Sequence, residues 1–350
     1  MNGLRKKLRI KEIVQETKDG KTFILESPEE TIPEYKAGQF LTFIFDTPFG
    51  EQRRNYSLSS SPDWQEPLSI TVKRIPNGVY SRKMIDTAQP GEWLTTIGAS
   101  GFFTLPGDIS QYQQLFLLAA GSGITPVFSL LKTVLHRYPQ INVILIYSNH
   151  SKKDAIFYNA LQQLQLRYPQ QLQIEWLFSD AFDYTKARLG KWLLNELLKK
   201  YVVAPLDSCL FYMCGPFNYM RMIIITLISA GVDKANIRKE EFVITEPTVL
   251  MQPPDTTTRQ VSVVLNKELY LFSSAYPQTI LQSAKQSGIE LPYSCETGRC
   301  GTCAALCTSG EVWMKYNEVL TEQDIKKGMV LTCTGYPVYG NVELDFDNTG

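Results

Sequence analysis

The stretch Cys295-Glu-Thr-Gly-Arg-Cys300-Gly-Thr-Cys303, followed by Cys333 after 29 further residues, decides how the end of this chain folds. A C-x4-C-x2-C run with a distant fourth cysteine has the spacing of plant-type [2Fe–2S] ligation. Gly298 and Gly301 allow the backbone to bend closely around so small a cluster. Structural zinc sites usually show paired Cys-x2–4-Cys knuckles instead. We therefore expect Cys295, Cys300, Cys303 and Cys333 to hold an iron–sulfur cluster, with a zinc-stabilised protein-binding module as the alternative.

The overall composition limits the classes of function that need considering. The 350 residues suit two or three domains, and the 35 basic and 35 acidic side chains cancel, so no global field favours nucleic acid or an anionic membrane. No stretch reaches the roughly 20 apolar residues that span a bilayer, and no apolar signal core follows the basic N-terminus. Seven cysteines, four of them assigned to the cluster, fit a reducing compartment better than a disulfide framework. We expect a cytoplasmic protein that binds neither nucleic acid nor a membrane.

Residues 1–106 are predicted to form an antiparallel β-barrel. Short strands are separated by turn residues such as Pro76-Asn-Gly78 and Pro90-Gly91, a pattern typical of all-β barrels. Only Ser81–Ala88 has a helical pattern. The predicted strands are Lys21–Glu26, Gln39–Phe45, Tyr56–Leu58, Leu68–Lys73 and Glu92–Ile97.

Residues 107–244 change to continuous apolar strands that alternate with helices. This pattern predicts an α/β domain with a parallel sheet covered on both faces. The predicted strands are Leu115–Ala120, Asn142–Tyr147, Leu172–Phe178 and Ser208–Met213. The predicted helices are a segment ending at Tyr138, then Ala155–Tyr168, Lys191–Tyr201 and Pro216–Ala230.

Residues 245–258 are predicted to be an interdomain linker, because their prolines and three consecutive threonines suit neither a helix nor a central strand. Residues 259–350 then form a third domain. It starts with a hairpin of Val261–Leu265 and Glu268–Phe272, continues with a helix over Thr279–Gln286, and leads into the cysteine loop.

Two motifs in the barrel have features of a ligand-binding site. Arg54-Asn55-Tyr56-Ser57 begins a strand, where alternation sends Tyr56 and Ser57 to opposite sides. Gly78-Val79-Tyr80-Ser81 opens the only helix, and backbone N–H groups at such a start form a phosphate seat. The structural alternative is a turn in which Ser81 is the N-cap.

Two further motifs have features of a dinucleotide-binding site. Gly121-Ser122-Gly123-Ile124-Thr125-Pro126 follows a buried strand and begins a helix, the setting in which a Gly-rich turn approaches a dinucleotide pyrophosphate. Thr125 is expected as the N-cap and Pro126 at the first helical position. Cys214-Gly215-Pro216 follows a later strand at its carboxyl end, where ligands of open α/β sheets gather, although a plain structural turn explains it as well.

Together, in this order, the motifs resemble the ferredoxin–NADP reductase superfamily with a plant-type ferredoxin domain fused at the C-terminus. Within it, the chain resembles oxygenase reductase components of the phenylacetyl-CoA epoxidase and 3-ketosteroid 9α-hydroxylase type. The resemblance implies a β-barrel that binds FAD, an α/β domain that binds NAD(P)H and a β-grasp [2Fe–2S] domain. It also implies an oxygenase or hydroxylase component as redox partner, and we expect a monomer.

The resemblance further implies roles for single residues. Arg54 would pair with the flavin phosphate, Tyr56 would pack on the isoalloxazine ring and Ser57 would bind near its N5, with Asn55 in the same motif. Two segments would line the ribityl chain and pyrophosphate, namely Thr71-Val72-Lys73 and Gly78–Ser81. The nicotinamide nucleotide would be held by Gly121–Pro126 and Cys214-Gly215-Pro216.

The same resemblance places three catalytic candidates around the hydride. Cys214 would lie near the hydride donor, while Ser57 and Glu240 would tune hydride geometry and flavin protonation. Glu240-Glu-Phe242 is similar to a Glu-x-Phe that ends the nucleotide domain in this subgroup, with Phe242 covering the flavin ring.

The predicted function is an electron relay. A nicotinamide gives up two electrons as a hydride, a [2Fe–2S] cluster accepts one at a time, and a flavin does both. The partner is expected to approach Glu296, Thr297 and Arg299 of the cysteine loop. The alternative is a diaphorase that reduces quinone or ferric acceptors directly from the flavin. Lys152 and Lys153 favour NADPH as donor, although the pair equally suits a solvated helix start.

Overall fold

The computed structural model describes residues 5–28, 33–48, 50–183, 185, 187–242 and 251–348, which form three sheets along the chain. The first sheet lies within 1–106, the second within 107–244 and the third within 259–350. Residues 245–250 of the linker expected at 245–258 lie outside the described residues. In the described part of the chain, no helix is both long and apolar enough to cross a bilayer.

The first sheet is an antiparallel barrel of six strands in the order β4-β3-β6-β1-β2-β5. A bridge between Leu58 and Ile70 closes it, joining the end of β4 to β5. Leu8, Ile10 and Phe23 are fully buried in its core. The elements are β1 (Lys6–Thr17), β2 (Gly20–Glu26), β3 (Phe40–Thr47), β4 (Gly50–Ser57), β5 (Ser69–Lys73), α1 (Val79–Asp86) and β6 (Trp93–Ser100).

The second sheet has five parallel strands in the order β11-β10-β7-β8-β9, so the winding direction reverses between β7 and β10. Successive residues of β7 point to opposite faces: Leu117 packs against α2 and α3, and Leu118 against α4 and α5. The predicted two-sided burial is therefore confirmed. The elements are β7 (Gln114–Ala120), α2 (Ile124–Arg137), β8 (Asn142–Asn149), α3 (Tyr158–Arg167), β9 (Leu172–Phe178), α4 (Lys191–Tyr201), β10 (Cys209–Cys214), α5 (Phe217–Ser229) and β11 (Ile237–Glu240).

The third sheet is mixed, in the order β13-β12-β16-β14-β15, with β12 and β16 parallel. The predicted hairpin is present: Asn266 and Lys267, both with positive φ, form its two-residue turn. Cys303 and Cys333 lie in the core of this domain. The elements are β12 (Arg259–Leu265), β13 (Glu268–Ser274), α6 (Ile280–Gln286), β14 (Ala304–Met314), α7 (Glu322–Lys326), β15 (Met329–Leu331) and β16 (Gly335–Asp345).

Strands β1 and β11 of the first two domains were not predicted, and both are strongly charged. In β1 the buried Leu8 and Ile10 alternate with exposed lysines and an arginine, and β11 is the four-residue segment Ile-Arg-Lys-Glu at the edge of its sheet. Short charged strands are common at sheet edges because charge discourages pairing with other chains. The apolar content of both segments is too low to mark them as strands from sequence.

Candidate functional site

Strand β4 presents the predicted flavin motif on one of its faces. The Arg54 guanidinium lies 4.6 Å from the centre of the Tyr80 ring. On the same face, Tyr56 lies 6.0 Å from Phe43, measured between ring centres, and burial raises the pKa of its hydroxyl. Arg54, Tyr56 and Tyr80 thus form an aromatic and cationic wall, which suits the ring and phosphate of a flavin nucleotide.

Strand β5 and helix α1 continue this wall mainly through their backbone. The Thr71 hydroxyl is buried and bonds Ser59 and Thr22, and Val72 is 2% exposed in the barrel core. A ligand beside β5 would therefore meet the main chain and Lys73. The N-terminal N–H groups of α1 remain available for a phosphate, since the helix has eight residues and no side-chain cap.

The alternative of a turn with Ser81 as N-cap is not what the structure shows. The helix begins at Val79 with Gly78 as its cap. Ser81 turns inward instead: its Oγ accepts from the Ile75 N–H at 3.2 Å and donates to the Gly78 carbonyl at 3.4 Å. Its hydroxyl thus stabilises the turn, while Val79 is 72% exposed beside it.

The two predicted nicotinamide motifs meet at Gly123. A Cβ built on Gly123 would lie 2.0 Å from the Cys214 carbonyl oxygen, so only glycine permits this contact. Gly215 is also packed closely, against Ala120 and Tyr219. Both loops lie at the carboxyl ends of β7 and β10, the point of reversal where open α/β sheets bind nucleotides.

The start of α2 differs from the prediction. A 3-10 turn over Gly121–Gly123 runs directly into the helix, which begins at Ile124. Thr125 and Pro126 are therefore its second and third residues, and the expectation of Thr125 as N-cap with Pro126 first is wrong. The Thr125 hydroxyl donates to the Ser122 carbonyl at 2.9 Å. Pro126 is still tolerated because the first four N–H groups of a helix have no partner within it.

Cys214 and Glu240 lie side by side at the same edge. They are register partners in the parallel pair of β10 and β11. Burial, then the charge of Glu240, raises the pKa of the fully buried Cys214 thiol. Burial, then the charge of Glu241, raises the pKa of Glu240 to about 8. Near neutral pH this edge therefore offers a neutral thiol and a largely protonated carboxyl group.

The third catalytic candidate, Ser57, is not part of this pair. It is buried at the end of β4, and in the described residues no hydrogen bond joins it to Cys214 or Glu240. Phe242 lies just beyond β11 and is 43% exposed. The predicted flavin and nicotinamide sites approach each other at Lys73 and Gly121. The Lys73 Nζ lies 3.7 Å from the position that a Cβ on Gly121 would take.

Ser148 and Asn149, at the carboxyl end of β8, were not identified from sequence as binding residues. The Ser148 hydroxyl and both polar atoms of the Asn149 amide are buried without a hydrogen-bond partner, although the Tyr219 and Tyr147 hydroxyls lie near them. Buried polar groups are normally paired, and unpaired ones at a ligand-binding edge suit a bound polar group. Their position next to the Gly121–Pro126 loop fits the nucleotide end of the cofactor.

The four predicted metal ligands come together in the third domain. Cys333, which follows β15, interacts with Cys295 and Cys303, and hydrogen bonds from Cys300 and Cys333 lower the pKa of the Cys295 thiol. Two strands and α7 separate Cys303 from Cys333, whereas a single strand was expected. In the described residues no group of three or more His, Cys, Asp or Glu side chains surrounds a single metal position.

The loop itself fits a [2Fe–2S] group. Its donor set is four thiols, which is the set that two tetrahedral irons bridged by sulfide require. Gly298 and Gly301 have φ of +75° and +74°, and a Cβ on Gly298 would lie 2.7 Å from the Tyr316 carbonyl oxygen. Glu296 also has a positive φ of 57°. The backbone is thereby wound tightly around the thiols.

The cysteine loop faces the chain's own first two domains. A Cβ on Gly301 would lie 2.5 Å from the Phe102 ring, and the Ser100 and Thr302 hydroxyls are 3.0 Å apart. Arg299 pairs with Glu241 at 3.6 Å, and its side chain is 10% exposed. Arg299 is therefore not accessible to a partner protein when the loop contacts the other two domains, and the expectation that a partner contacts it is wrong. Glu296 remains exposed.

A cavity of about 450 Å³ lies away from these motifs, between the barrel and helices α2 and α3. Lys132 and Glu66 form a buried ion pair on its wall, and burial lowers the pKa of the Lys132 amine. Among the described residues, none of those predicted to bind FAD or the nicotinamide lines this cavity. Thr71 is the nearest to it by contact, since its hydroxyl bonds the lining residues Thr22 and Ser59. Its lining belongs to the packing between the domains.

Comparison with known families matches each domain separately. An oxidoreductase FAD-binding domain matches residues 7–105, an oxidoreductase NAD-binding domain 117–224, and a 2Fe-2S iron-sulfur cluster binding domain 264–338. The order of the three matches is that of the three sheets.

Comparison with whole proteins covers nearly the entire chain. The ferredoxin reductase component of 3-ketosteroid-9-alpha-monooxygenase from Mycolicibacterium smegmatis is 33% identical over 97% of this chain and 96% of its own length. A component protein of 1,2-phenylacetyl-CoA epoxidase from Escherichia coli is 29% identical over 98% of each chain. Phthalate dioxygenase reductase, a solved structure, shares the fold with a TM-score of 0.59 and 23% identity over 97% of each chain.

Proposed function

The chain belongs to the oxygenase reductase components that join FAD, nicotinamide and [2Fe–2S] domains, and we propose that it passes electrons from NAD(P)H to a partner oxygenase. It is a flavin and iron–sulfur oxidoreductase. When bound, FAD would supply the conversion between the two-electron chemistry of the nicotinamide and the one-electron chemistry of the cluster.

One observation carries the proposal: the cysteine loop is held against both other domains of the same chain. The Ser294 hydroxyl, next to Cys295, donates to Asn55 in the predicted flavin motif at 2.7 Å. On the other side, Arg299 pairs with Glu241, next to Glu240. A detached zinc module would have no need to adjoin both predicted cofactor sites.

The residues of this chain would bind, orient and shield the reacting groups. We propose that Gly121–Pro126 and Cys214-Gly215-Pro216 hold the nicotinamide and that Arg54, Tyr56, Ser57 and Gly78–Ser81 hold the flavin. Glu240 would keep a proton beside Cys214 at neutral pH, since its pKa is raised to about 8. The close contact of Gly123 with the Cys214 carbonyl would hold the two proposed nicotinamide loops together.

We also propose NADPH as the preferred donor. Lys152 and Lys153 are exposed just after β8, beside the unpaired polar atoms of Ser148 and Asn149. The Lys152 amine lies 4.5 Å from the centre of the Tyr158 ring, which holds it near this edge. Lys152→Ala with Lys153→Ala should raise the KM for NADPH about tenfold and leave that for NADH unchanged. Equal effects on both donors would count against it.

We propose the predicted domain limits, which are 1–106 for the FAD domain, 107–244 for the NAD(P) domain and 259–350 for the [2Fe–2S] domain, with a linker at 245–258. A cytoplasmic location is supported by seven cysteines, none of which forms a disulfide in the described residues. We also propose that the reductase is a monomer. Size-exclusion chromatography with light scattering tests the monomer.

The test of the function compares Cys300→Ser with Cys307→Ser, a half-buried cysteine outside the predicted ligand set. Cys300→Ser should lose reduction of a one-electron protein acceptor such as cytochrome c, while flavin-dependent reduction of ferricyanide continues. Cys307→Ser should keep both activities. If Cys300→Ser keeps full cytochrome c reduction, electrons leave from the flavin and the diaphorase alternative holds.

A further inference from the structure

We propose that Arg53 and Asn55 are positioning residues that hold the cysteine loop against the barrel, on the face of β4 opposite Arg54 and Tyr56, and so set the rate of electron transfer from the flavin to the cluster. The inference rests on the proposed function, since it presumes that electrons pass from flavin to cluster. It assigns to β4 a second role, separate from flavin binding.

The alternation of β4 separates these two roles. Arg54 and Tyr56 lie on the side of Tyr80, where the flavin is proposed to bind. Arg53 and Asn55, one residue out of phase, lie on the other side and contact the third domain. Because successive side chains of a strand point to opposite faces, one rigid strand supports both redox sites.

Arg53 makes several contacts across the domain boundary. Its Nη1 donates to the Tyr293 carbonyl at 2.8 Å, and its guanidinium lies 3.6 Å from the centre of the Tyr293 ring. Its Nη2 lies 3.4 Å from a Glu290 oxygen, which Arg5 also approaches at 3.1 Å. The Arg53 side chain is 4% exposed, so removing one of its partners would leave a buried charge poorly compensated.

Tyr293 is held from both sides. The Lys285 amine lies 3.5 Å from the centre of the Tyr293 ring, and the Arg53 guanidinium lies 3.6 Å from the same centre. Arg53 also donates to the Tyr293 carbonyl. The two cation–π contacts and the hydrogen bond all fix Tyr293, which lies two residues before Cys295. The approach of the loop to the barrel is thus fixed before the first ligand is reached.

Asn55 supplies the contact nearest to the ligands. Its Oδ1 accepts from Ser294 at 2.7 Å and from Thr42 on β3 at 2.9 Å. Since Thr42 belongs to the neighbouring barrel strand, the amide is fixed on the barrel before the loop docks. Asn55 was predicted to bind cofactor, and its side chain is engaged by the cysteine loop instead.

The experiment uses the holoprotein in anaerobic stopped flow with NADPH or NADH, following the flavin and cluster absorption separately. The variants are Arg53→Gln, Asn55→Ala, Ser294→Ala and the Asn55→Ala/Ser294→Ala double variant. Arg9→Gln is the matched control, because Arg9 is exposed on β1 and pairs with Glu26 within the barrel. Hydrogen exchange over residues 290–294 reports docking independently of turnover.

Flavin reduction should be unchanged in every variant, while cluster reduction slows about tenfold in Arg53→Gln and about threefold in Asn55→Ala. The double variant should be no slower than the slower single variant, because both changes remove one contact. Hydrogen exchange over 290–294 should rise in the same variants and stay unchanged in Arg9→Gln.

The proposal is overturned if cluster reduction in Arg53→Gln and Ser294→Ala stays within about twofold of the parent, or if flavin reduction slows equally. Should Arg53→Gln not retain FAD, Ser294→Ala and Tyr293→Leu decide the question from the third domain. Failure of the proposed function looks different, since the parent cluster would then not be reduced by either nicotinamide.

Discussion

Gly123 is the residue at which the two nicotinamide loops touch. Gly123→Ala would place a methyl group 2.0 Å from the Cys214 carbonyl, and neither backbone can easily move away. We expect about 1–3 kcal/mol lower stability and about tenfold higher KM for NAD(P)H, as is usual for overpacking. Thermal unfolding and steady-state kinetics measure both. Gly190→Ala, in open space before α4, is the control and should stay close to the parent.

Glu240 should give the molecule a pH dependence. Its pKa is raised from 4.5 to about 8, so between these values the folded protein keeps a proton that the unfolded chain has lost. The free energy of unfolding should therefore fall as pH rises through this window, by about 1–2 kcal/mol after allowing for partial exposure. Glu240→Gln should lack this fall. Denaturation at pH 5, 6.5 and 8 tests it; parallel curves for the two proteins would refute the assignment.

Helix α1 is the element on which the flavin phosphate site depends. Gly78→Ala would bring a Cβ to 2.5 Å from Ser81 Oγ, displacing the hydroxyl that secures the turn. The N–H groups of the first turn of α1 would then no longer point at the proposed flavin phosphate, and FAD affinity should fall about tenfold. Fluorescence titration of the apoprotein measures this, with Gly107→Ala, which meets no neighbour, as the control. Unchanged affinity would place the phosphate elsewhere.

Sequence patterns predicted the helices and strands whose apolar residues are buried. Helix α4 has the predicted bounds, Lys191–Tyr201, and the buried strands of the second sheet were found because their apolar runs are continuous. Charged β1 and β11 were missed because a half-exposed strand has little apolar signal. The start of α2 was misplaced because a 3-10 turn joins the glycines to the helix, so Thr125 lies inside the helix and its hydroxyl donates to the Ser122 carbonyl.

The candidate site was predictable only where a motif is local. The cysteine spacing predicted four ligands that the structure brings into one domain, and the glycine loops predicted a nucleotide site at the edge where Gly123 meets Cys214. No sequence pattern points to Arg53 beside Tyr293 or to Glu241 beside Arg299, because these pairs arise from docking of separate domains. The flavin motif also assigned Asn55 to the cofactor, whereas only the structure shows the Ser294 hydroxyl bonded to it.

At the scale of the whole molecule, ion pairs join the third domain to the other two. They are Arg5–Glu290, Arg53–Glu290, Lys239–Glu318 and Arg299–Glu241. Raising the salt from roughly 0.05 M to 0.5 M should weaken the exposed pairs and slow cluster reduction about twofold to threefold, leaving flavin reduction unchanged. Stopped flow across the salt series measures both. A uniform slowing of both phases would indicate weaker nicotinamide binding instead.

The most direct test of the relay is an anaerobic titration with NADPH and NADH, followed by visible absorption and electron paramagnetic resonance. One flavin and one [2Fe–2S] cluster together take up three electrons, so full reduction should need about 1.5 equivalents of nicotinamide. Both the flavin and the cluster absorption should be lost, and the resonance signal of a reduced [2Fe–2S] cluster should appear. Flavin reduction at about one equivalent, with a cluster that stays oxidised or with zinc in its place, would contradict it.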